Sequence, residues 1–435
     1  MHRFGNGLTV LIKEDKSHPV VSLQYWVGTG SMNEGHLQGS GISHLLEHLV
    51  FKGTENYSGQ DLARKVQERG GHWNAYTSVN RTVFYIDGPA ESWQVFLNLL
   101  TELVFSPTFP EGELEREKEV VRREMAMYAD EPDSVAYQLL MQTLYLKHPR
   151  RWPVLGEPEV FDTLTREDVL EYHASRYVPN NVVLSIAGDV DAREVLSHLE
   201  LLVEDLKARP LNREPLPHEP HQFGSRTVRK EFAVPYSKLS LAWRLPCSAH
   251  PDTPALSALA SILGGGRSAR FYEKFHDRLG MVYSIEVHSN QSESDEGAFT
   301  ITMDVDRAQR DKVRDLILQE LRNLEREDFT EDLKRVCKQT RVSRLRRKSS
   351  ASGMASEMGA DWFGARNLNL SSEWQEAIER VTSEDLHRVC AGWLSSPNVT
   401  EVSLDPLGSN AEEVPAGSEE TDAVLSELVL PNGLK

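Results

Sequence analysis

A proline-rich stretch near the middle of the chain constrains the fold more than any other feature. Four prolines lie there among polar residues: Pro210, Pro215, Pro217 and Pro220. Proline fixes φ and removes a backbone donor, so the stretch cannot continue a helix or a central strand and acts as a stiff spacer. The chain of 435 residues is also too long for one ordinary hydrophobic core. The sequence therefore predicts a first domain over residues 1–207, a linker over 208–224 and a second domain over 225–408.

Both predicted domains mix strands with long helices. Apolar, β-branched runs predict strands at Leu8–Ile12, Val20–Val27, Thr82–Ile86, Val182–Ala187, Leu239–Leu245 and Phe299–Val305. Helical periodicity predicts helices at Gly41–Phe51, Trp93–Val104, Glu111–Tyr128, Pro254–Leu263 and Arg310–Leu324. Because strands and helices do not alternate strictly, we predict an α+β fold with helices packed on a sheet.

The end of the chain differs in composition from the two domains. Residues 409–427 are acidic and rich in small residues, which is typical of a linker. The triplet Asn-Gly-Leu stands at residues 6–8 and again at 432–434. A three-residue match arises easily by chance, but its position also suggests that a further copy of the module begins here.

Charge and composition exclude several classes of partner. The formal net charge is −18, which argues against nucleic acid because phosphate binding needs a basic surface. No apolar run of about 18 residues predicts a membrane span, and the residues before the first strand are too few for a signal peptide. Three widely spaced cysteines cannot form a disulfide framework or a cysteine zinc site. We therefore expect a cytoplasmic protein, or a mature or trimmed segment of a protein, without a nucleic-acid or membrane partner.

One basic segment departs from this acidic balance. Residues 334–348 contain eight lysines and arginines. Val336, Val342 and Leu345 are spaced so that a helix would turn them inward. We interpret the segment as a helix with a solvated basic face, and a contact to a substrate or partner is the alternative.

The motif His-Leu-Leu-Glu-His at residues 44–48 contains the residues best suited to chemistry. Residues four apart lie about one helical turn from each other, so His44 and His48 project from one face. Two neutral imidazoles at this spacing can occupy adjacent positions of one tetrahedral zinc. Glu47 borders the same face and can accept a proton from a water that the metal has acidified.

The predicted helix Glu111–Tyr128 offers a third ligand. Glu117 and Glu124 are two turns apart and share a face, and the apolar Val120 and Val121 between them suggest that this face looks inward. A buried carboxylate pair needs a metal or other partners. We predict Glu124 as the third zinc ligand and Glu117 as the residue that orients a ligand. The alternative is a solvated carboxylate face beside a His-x-x-Glu-His motif that arose by chance.

Around these residues the chain resembles the pitrilysin/insulinase family of zinc peptidases, which includes the mitochondrial processing peptidases. The order His-x-x-Glu-His is the inverzincin signature. Seven segments resemble family motifs in the family's order: Gly41–Thr54, Gly70–Ser78, Glu115–Glu124, Tyr177–Asn181, Ala187–Asp189, Leu263–Arg270 and Leu279–Ser284. The resemblance extends over nearly the whole chain, to about residue 407.

The resemblance implies a fold and an activity. The fold would be two homologous domains, each a mostly antiparallel sheet with helices packed on it, which together form half of a clamshell. The second domain would lack the metal motif. The activity would be that of a zinc-dependent metalloendopeptidase, with one Zn²⁺ per chain on His44, His48 and Glu124 and with Glu47 as the general base.

The resemblance also implies how a peptide would bind. An extended substrate would add as a strand beside the segment that contains Asn74, Ala75 and Tyr76, through main-chain hydrogen bonds. Such binding depends little on the substrate's sequence.

The second domain departs from the family pattern at one position. The family often has an arginine seven residues before the tyrosine that matches Tyr283, and both help to hold the substrate backbone. Here that position is His276, with Arg278 close by. Either of these residues takes the arginine's place, or another chain supplies the group.

The resemblance further implies a partner, because family members of this size often act as pairs of chains. We expect a homodimer, a heterodimer or a fused second module. One alternative function is a non-catalytic scaffold or partner subunit of the same fold. Another is a metal-stabilised structural protein of unrelated fold.

Overall fold

The computed structural model describes residues 1–211, 215–291, 296–395 and 397–408. None of the helices in these ranges combines enough length with enough apolar character to cross a bilayer. The predicted acidic linker and further repeat at 409–435 lie outside the described residues.

Among the described residues, the first sheet has six strands. They are β1 (His2–Arg3), β2 (Thr9–Glu14), β3 (Val20–Val27), β4 (His72–Thr77), β5 (Thr82–Pro89) and β6 (Val182–Gly188). Their order across the sheet is β1-β2-β6-β3-β5-β4. Only the β2–β6 pair is parallel among these neighbours, and β4 forms one edge of the sheet.

The second sheet, within the described ranges, has five strands. They are β7 (Arg226–Phe232), β8 (Ser237–Leu245), β9 (Val282–Asn290), β10 (Gly297–Val305) and β11 (Thr400–Pro406). Their order is β7-β11-β8-β10-β9, with β7 and β11 parallel and the other neighbours antiparallel. If β1 is set aside, both sheets arrange their strands in the same chain order, 1-5-2-4-3. The predicted α+β fold with two similar, mostly antiparallel sheets is confirmed.

Helices pack on both sheets. In the first half they are α1 (Ile42–Val50), α2 (Gly59–Gln67), α3 (Trp93–Phe105), α4 (Glu113–Asp130), α5 (Pro132–Leu144), α6 (Pro158–Phe161), α7 (Arg166–Arg176) and α8 (Ala192–Val203). In the second half they are α9 (Thr253–Gly264), α10 (Arg310–Asn323), α11 (Thr330–Arg347), α12 (Ala351–Ala365), α13 (Leu370–Glu379) and α14 (Ser383–Val389). Most bury an apolar face, and each sheet therefore forms one side of a separate large core.

Local sequence sets the start of the helix that precedes the last strand of each sheet. Thr165 accepts a hydrogen bond from the backbone N–H of Asp168, and the Asp168 carboxylate accepts one from the backbone N–H of Thr165. Thr382 and Asp385 form the same reciprocal pair at α14. Such capping boxes satisfy backbone donors that the first helical turn leaves free. The two halves thus share this capping box as well as the order of their strands.

Each half contributes one helix that packs on the sheet of the other half. Helix α5 of the first half packs on β8 and β11 of the second sheet, where Leu140 and Leu144 join a small apolar cluster. Helix α12 of the second half packs on β3 and β6 of the first sheet. There Gly359 lies so close to Trp26 that an added Cβ would come within 2.3 Å of the indole ring. Each sheet is therefore covered on its second face by a helix from the other half.

The basic segment at residues 334–348 departs from the sequence prediction about which of its apolar residues are buried. It forms most of α11, and Val336 is buried as expected. The prediction that Val342 and Leu345 face inward is wrong, because these side chains are 41% and 63% exposed. The neighbouring helices α9, α12 and α13 contact α11 but leave this part of its surface uncovered.

Candidate active site

Helix α1 places His44, Glu47 and His48. Its intervening leucines are buried and fix the helix against the first core. The residue before the helix, Gly41, has a φ of 70°, and a Cβ there would lie 2.1 Å from the carbonyl oxygen of Leu155. Glycine is needed at this position on both counts, so it fixes where the helix begins.

A buried carboxylate at Glu34 holds the start of α1. Its oxygens accept hydrogen bonds from the backbone N–H groups of Gly41, at 3.2 Å, and of Ser43, at 3.1 Å. The first N–H groups of a helix lack partners within the helix, so this contact satisfies two of them. Sequence reasoning missed Glu34, because it lies well before the helix and matches no capping pattern.

The buried carboxyl group of Glu34 should make the stability of the folded protein depend on pH. Burial raises the pKa of this carboxyl from 4.5 to about 8, against the opposing effect of the hydrogen bonds from Ser43 and Gly41. A folded-state pKa above the unfolded value means that the stability contribution is complete below the unfolded pKa and is lost as pH rises through the folded one. In metal-free protein, the Tm of the wild type should fall by a few degrees more than that of Glu34→Gln between about pH 6 and about pH 9. Thermal melts that fall in parallel for the two proteins would contradict this expectation.

Helix α4 brings Glu124 against the two histidines. One ligand atom from each of His44, His48 and Glu124 lies within 4.8 Å of the others. The Oε2 atom of Glu124 is 3.8 Å from Nε2 of His44 and 3.9 Å from Nε2 of His48. These distances are too long for hydrogen bonds. Zinc bonds of ~2.0–2.2 Å in a tetrahedron place neighbouring ligand atoms about 3.3–3.6 Å apart, so the two distances from Glu124 exceed the spacing around a bound zinc by only a few tenths of an ångström.

The protonation state of His44 also suits a metal ligand. Burial, with a smaller effect from His48, lowers the pKa of His44 to about 3. The imidazole is therefore neutral near pH 7, which is the form that binds metal. Its Nδ1 atom is buried and has no hydrogen-bond partner among the described residues.

Glu117 lies behind His48. Its Oε2 atom is 3.3 Å from Nδ1 of His48, and its Oε1 atom is 2.6 Å from Nζ of Lys52. Burial alone would raise the pKa of Glu117, but the hydrogen bonds from His48 and Lys52 outweigh it and lower the pKa. The structure thus places Glu117 where it can orient His48. The apolar residues beside it are not equally buried, since Val121 is inaccessible whereas Val120 is exposed, contrary to the inward face expected for both.

Glu47 is held by a residue on the neighbouring strand. The hydroxyl of Thr77, at the end of β4, donates a hydrogen bond of 2.6 Å to Oε2 of Glu47. Burial raises the pKa of Glu47, and this hydrogen bond opposes the rise. Thr77 lies in the segment Gly70–Ser78, but its contact with Glu47 could not be predicted, because helix α2 separates α1 from β4 in the chain and only their packing aligns the two residues.

The three candidate substrate residues of the first half share the edge strand β4. Asn74 and Tyr76 are exposed, and Ala75 between them is half-buried. Strand β4 pairs with β5 on one side only, and it packs against α1. The outer edge of the sheet therefore lies next to the helix that contains Glu47.

The candidate residues of the second half are separate from this cluster. Tyr283 lies on the edge strand β9, and its hydroxyl donates to Asp306 at 2.9 Å. His276 stacks on Tyr272, and Arg278 pairs with Glu273. Within the described part of the chain, Tyr283, His276 and Arg278 form no hydrogen bond, ion pair or ring contact with each other or with the triad of His44, His48 and Glu124. The strand of Tyr283 nevertheless corresponds to the strand of Asn74, Ala75 and Tyr76, since β9 occupies in the second sheet the edge position that β4 occupies in the first.

Comparison with known proteins identifies the family. The family model described as insulinase (peptidase family M16) matches residues 9–157 of the sequence. The family model described as the peptidase M16 inactive domain matches residues 163–339. This chain belongs to the insulinase family, peptidase family M16, as its resemblance predicted. The second half contains no other His-x-x-Glu-His sequence, in keeping with the description of its model.

The relatives include proteins named as zinc proteases. The chain is 28% identical over 388 residues to an uncharacterized zinc protease of Bacillus subtilis, which covers 88% of this chain and 92% of the relative. It is 27% identical over 410 residues to the zinc protease PqqE of Helicobacter pylori, with 92% and 91% covered. Among solved structures, a protease from Helicobacter pylori matches with a TM-score of 0.85 and 26% identity, over 93% of this chain and 98% of that one.

Proposed function

We propose that this protein is a zinc-dependent endopeptidase that hydrolyses peptides or extended protein segments. The observation that supports this most is the convergence of His44, His48 and Glu124 beside Glu47, whose carboxylate is held by Thr77. Two imidazoles and one carboxylate leave one tetrahedral position for water or substrate, which is typical of catalytic zinc. Zinc bound there would lower the pKa of water and polarise a carbonyl group.

Glu47 would act as the general base. A base needs a free carboxylate within reach of the attacking water and a pKa raised toward the working pH. Burial raises the pKa of Glu47, and the hydroxyl of Thr77 holds the carboxylate by donating a hydrogen bond to its Oε2 atom. After attack, the same carboxyl group can deliver its proton to the leaving amine.

The edge strand β4 would bind the substrate. An extended peptide that pairs with its outer edge would gain main-chain hydrogen bonds and would pass beside Glu47. Asn74 and Tyr76, which are exposed on this strand, would then contact substrate side chains. Tyr283 on the equivalent strand of the second sheet would hold the substrate backbone from the other half.

We also propose that a partner completes the site. Among the described residues, the side chains of His276 and Arg278 contact only their near neighbours Tyr272, Asp277 and Glu273. A second copy, a different chain or a fused module would supply the group that takes the place of the family arginine. Light scattering with and without substrate peptide would report the number of chains.

Cleavage of a quenched peptide library tests the proposed activity. We expect hydrolysis by the zinc-loaded protein, loss of hydrolysis after treatment with a chelator, and recovery on addition of Zn²⁺. Internal cleavage sites in the products, identified by mass spectrometry, would show endopeptidase rather than exopeptidase action. Stoichiometric zinc without any cleavage, by the chain alone or with its partner, would instead favour a scaffold subunit.

A further inference from the structure

A lysine just past the end of α1 extends the arrangement around the metal-binding triad. Lys52 follows His48 by four residues, so its side chain leaves the backbone about one turn beyond the imidazole. Both groups meet the same carboxylate on α4. The two oxygens of Glu117 are divided between them, with Oε2 facing Nδ1 of His48 and Oε1 facing Nζ of Lys52.

We propose that Lys52 is a positioning residue for His48, acting through Glu117. The inference rests on the proposed function for the role of zinc, but its geometry does not depend on peptide cleavage. A chain of side-chain contacts runs from Lys52 through Glu117 to His48. It connects the ammonium group to the imidazole whose Nε2 atom faces Glu124. Lys52 lies in the family-like segment Gly41–Thr54, but no sequence pattern indicates this role.

The position of Glu117 explains why it needs a second partner. The residue is only 5% exposed, and a buried carboxylate is costly unless all of its oxygens are hydrogen-bonded. His48 contacts one oxygen, at a distance of 3.3 Å that is long for a hydrogen bond. The 2.6 Å contact with Lys52 is much shorter, and it fixes the rotation of the carboxylate plane.

The orientation of that plane determines what His48 can do. With Oε1 bound to Lys52, Oε2 points at Nδ1 of His48 and favours the tautomer in which Nδ1 carries the proton. The Nε2 lone pair is then free on the side of Glu124 and His44, as a metal ligand requires. The side chain of Lys52 is 31% exposed, so it contributes through geometry rather than through a strong ion pair.

Zinc affinity of substituted proteins tests this role. Lys52→Met removes the ammonium group but keeps the aliphatic stem, and it should raise the Kd for Zn²⁺ about 10-fold, as changes in partners of metal ligands do. Lys52→Arg can still donate to Oε1 and should stay within about threefold of the wild type. Lys16→Met is the charge-matched control, since Lys16 is exposed in a turn of the first half, and it should bind zinc like the wild type. Competition with a chromophoric chelator gives each Kd without any peptide.

A second readout separates positioning from general stability. In metal-free protein, the ¹⁵N shifts of the His48 ring distinguish its two tautomers, and Lys52→Met should move them away from the Nδ1–H form while Lys52→Arg should not. Wild-type affinity in Lys52→Met would overturn the proposal. So would weaker zinc binding with unchanged His48 signals, because it would mean that Lys52 only stabilises the contact between α1 and α4. A wild type that binds zinc but cleaves no peptide would refute the proposed function and leave this test intact.

Discussion

Glu47→Gln should lower peptide hydrolysis by about 10³-fold or more while zinc stays bound. General-base catalysis contributes about 10²–10⁴-fold, and an amide cannot accept the proton. The substitution is nearly isosteric, and its carbonyl oxygen can still accept the hydrogen bond from Thr77. Glu47 is also not a member of the triad formed by His44, His48 and Glu124, so metal binding should persist.

Measuring kcat/KM and bound zinc in the same samples checks this expectation. Glu119→Gln is a suitable control, because it makes the same chemical change on an exposed surface of α4, where Glu119 pairs with Arg122. It should retain both zinc and activity. Loss of zinc from Glu47→Gln would mean that Glu47 is a ligand, and retained hydrolysis would mean that another group is the base.

Glu124→Gln should weaken zinc binding by about 100-fold or more. Changes in residues that only contact a ligand already cost about 10–100-fold, and this change removes the single anionic ligand of the triad. Without it, two neutral imidazoles would hold the cation, and activity at limiting zinc should disappear. The loss should be partly recovered at high zinc if the fold is intact.

The same control on α4 serves here. Equilibrium dialysis against zinc buffers would compare Glu124→Gln with Glu119→Gln, and circular dichroism would verify that both are folded. Full occupancy of Glu124→Gln at low zinc would show that the third ligand lies elsewhere. Glu117 would then be the first residue to test, since it contacts His48 from the same helix.

Patterns within short segments predicted much of the fold. The predicted strand Val20–Val27 coincides with β3, and the predicted helix Glu111–Tyr128 overlaps α4 to within about two residues at each end, which is the usual uncertainty of boundaries. Strand β3 is buried at seven of its eight residues, as its mostly apolar run indicates, whereas α4 buries only Glu117, Lys118 and Val121 and was predicted from its helical pattern. The spacing of His44, Glu47 and His48 follows from helix geometry in the same way, and it needs no long-range information.

Contacts between distant segments could not be predicted in this way. Thr77 reaches Glu47 across 30 residues, and Lys52 reaches Glu117 across 65, so only the packed structure aligns them. The exposure of Val342 and Leu345 depends on which neighbouring helices cover α11, and a helical pattern cannot show that. Glu34 serves backbone groups rather than a side chain, and it therefore left no pattern in the sequence.

The exchange of α5 and α12 has a consequence for biosynthesis. A ribosome completes the strands of the first sheet at residue 188, but the helix that covers the sheet's second face ends only at Ala365. Until then, the nascent chain exposes an apolar surface around Trp26 and Val183, which is a liability for aggregation. Neither half should therefore mature alone. Two fragments divided in the linker and produced together should assemble, whereas the fragment that contains His44, His48 and Glu124, produced by itself, should depend on chaperones or precipitate.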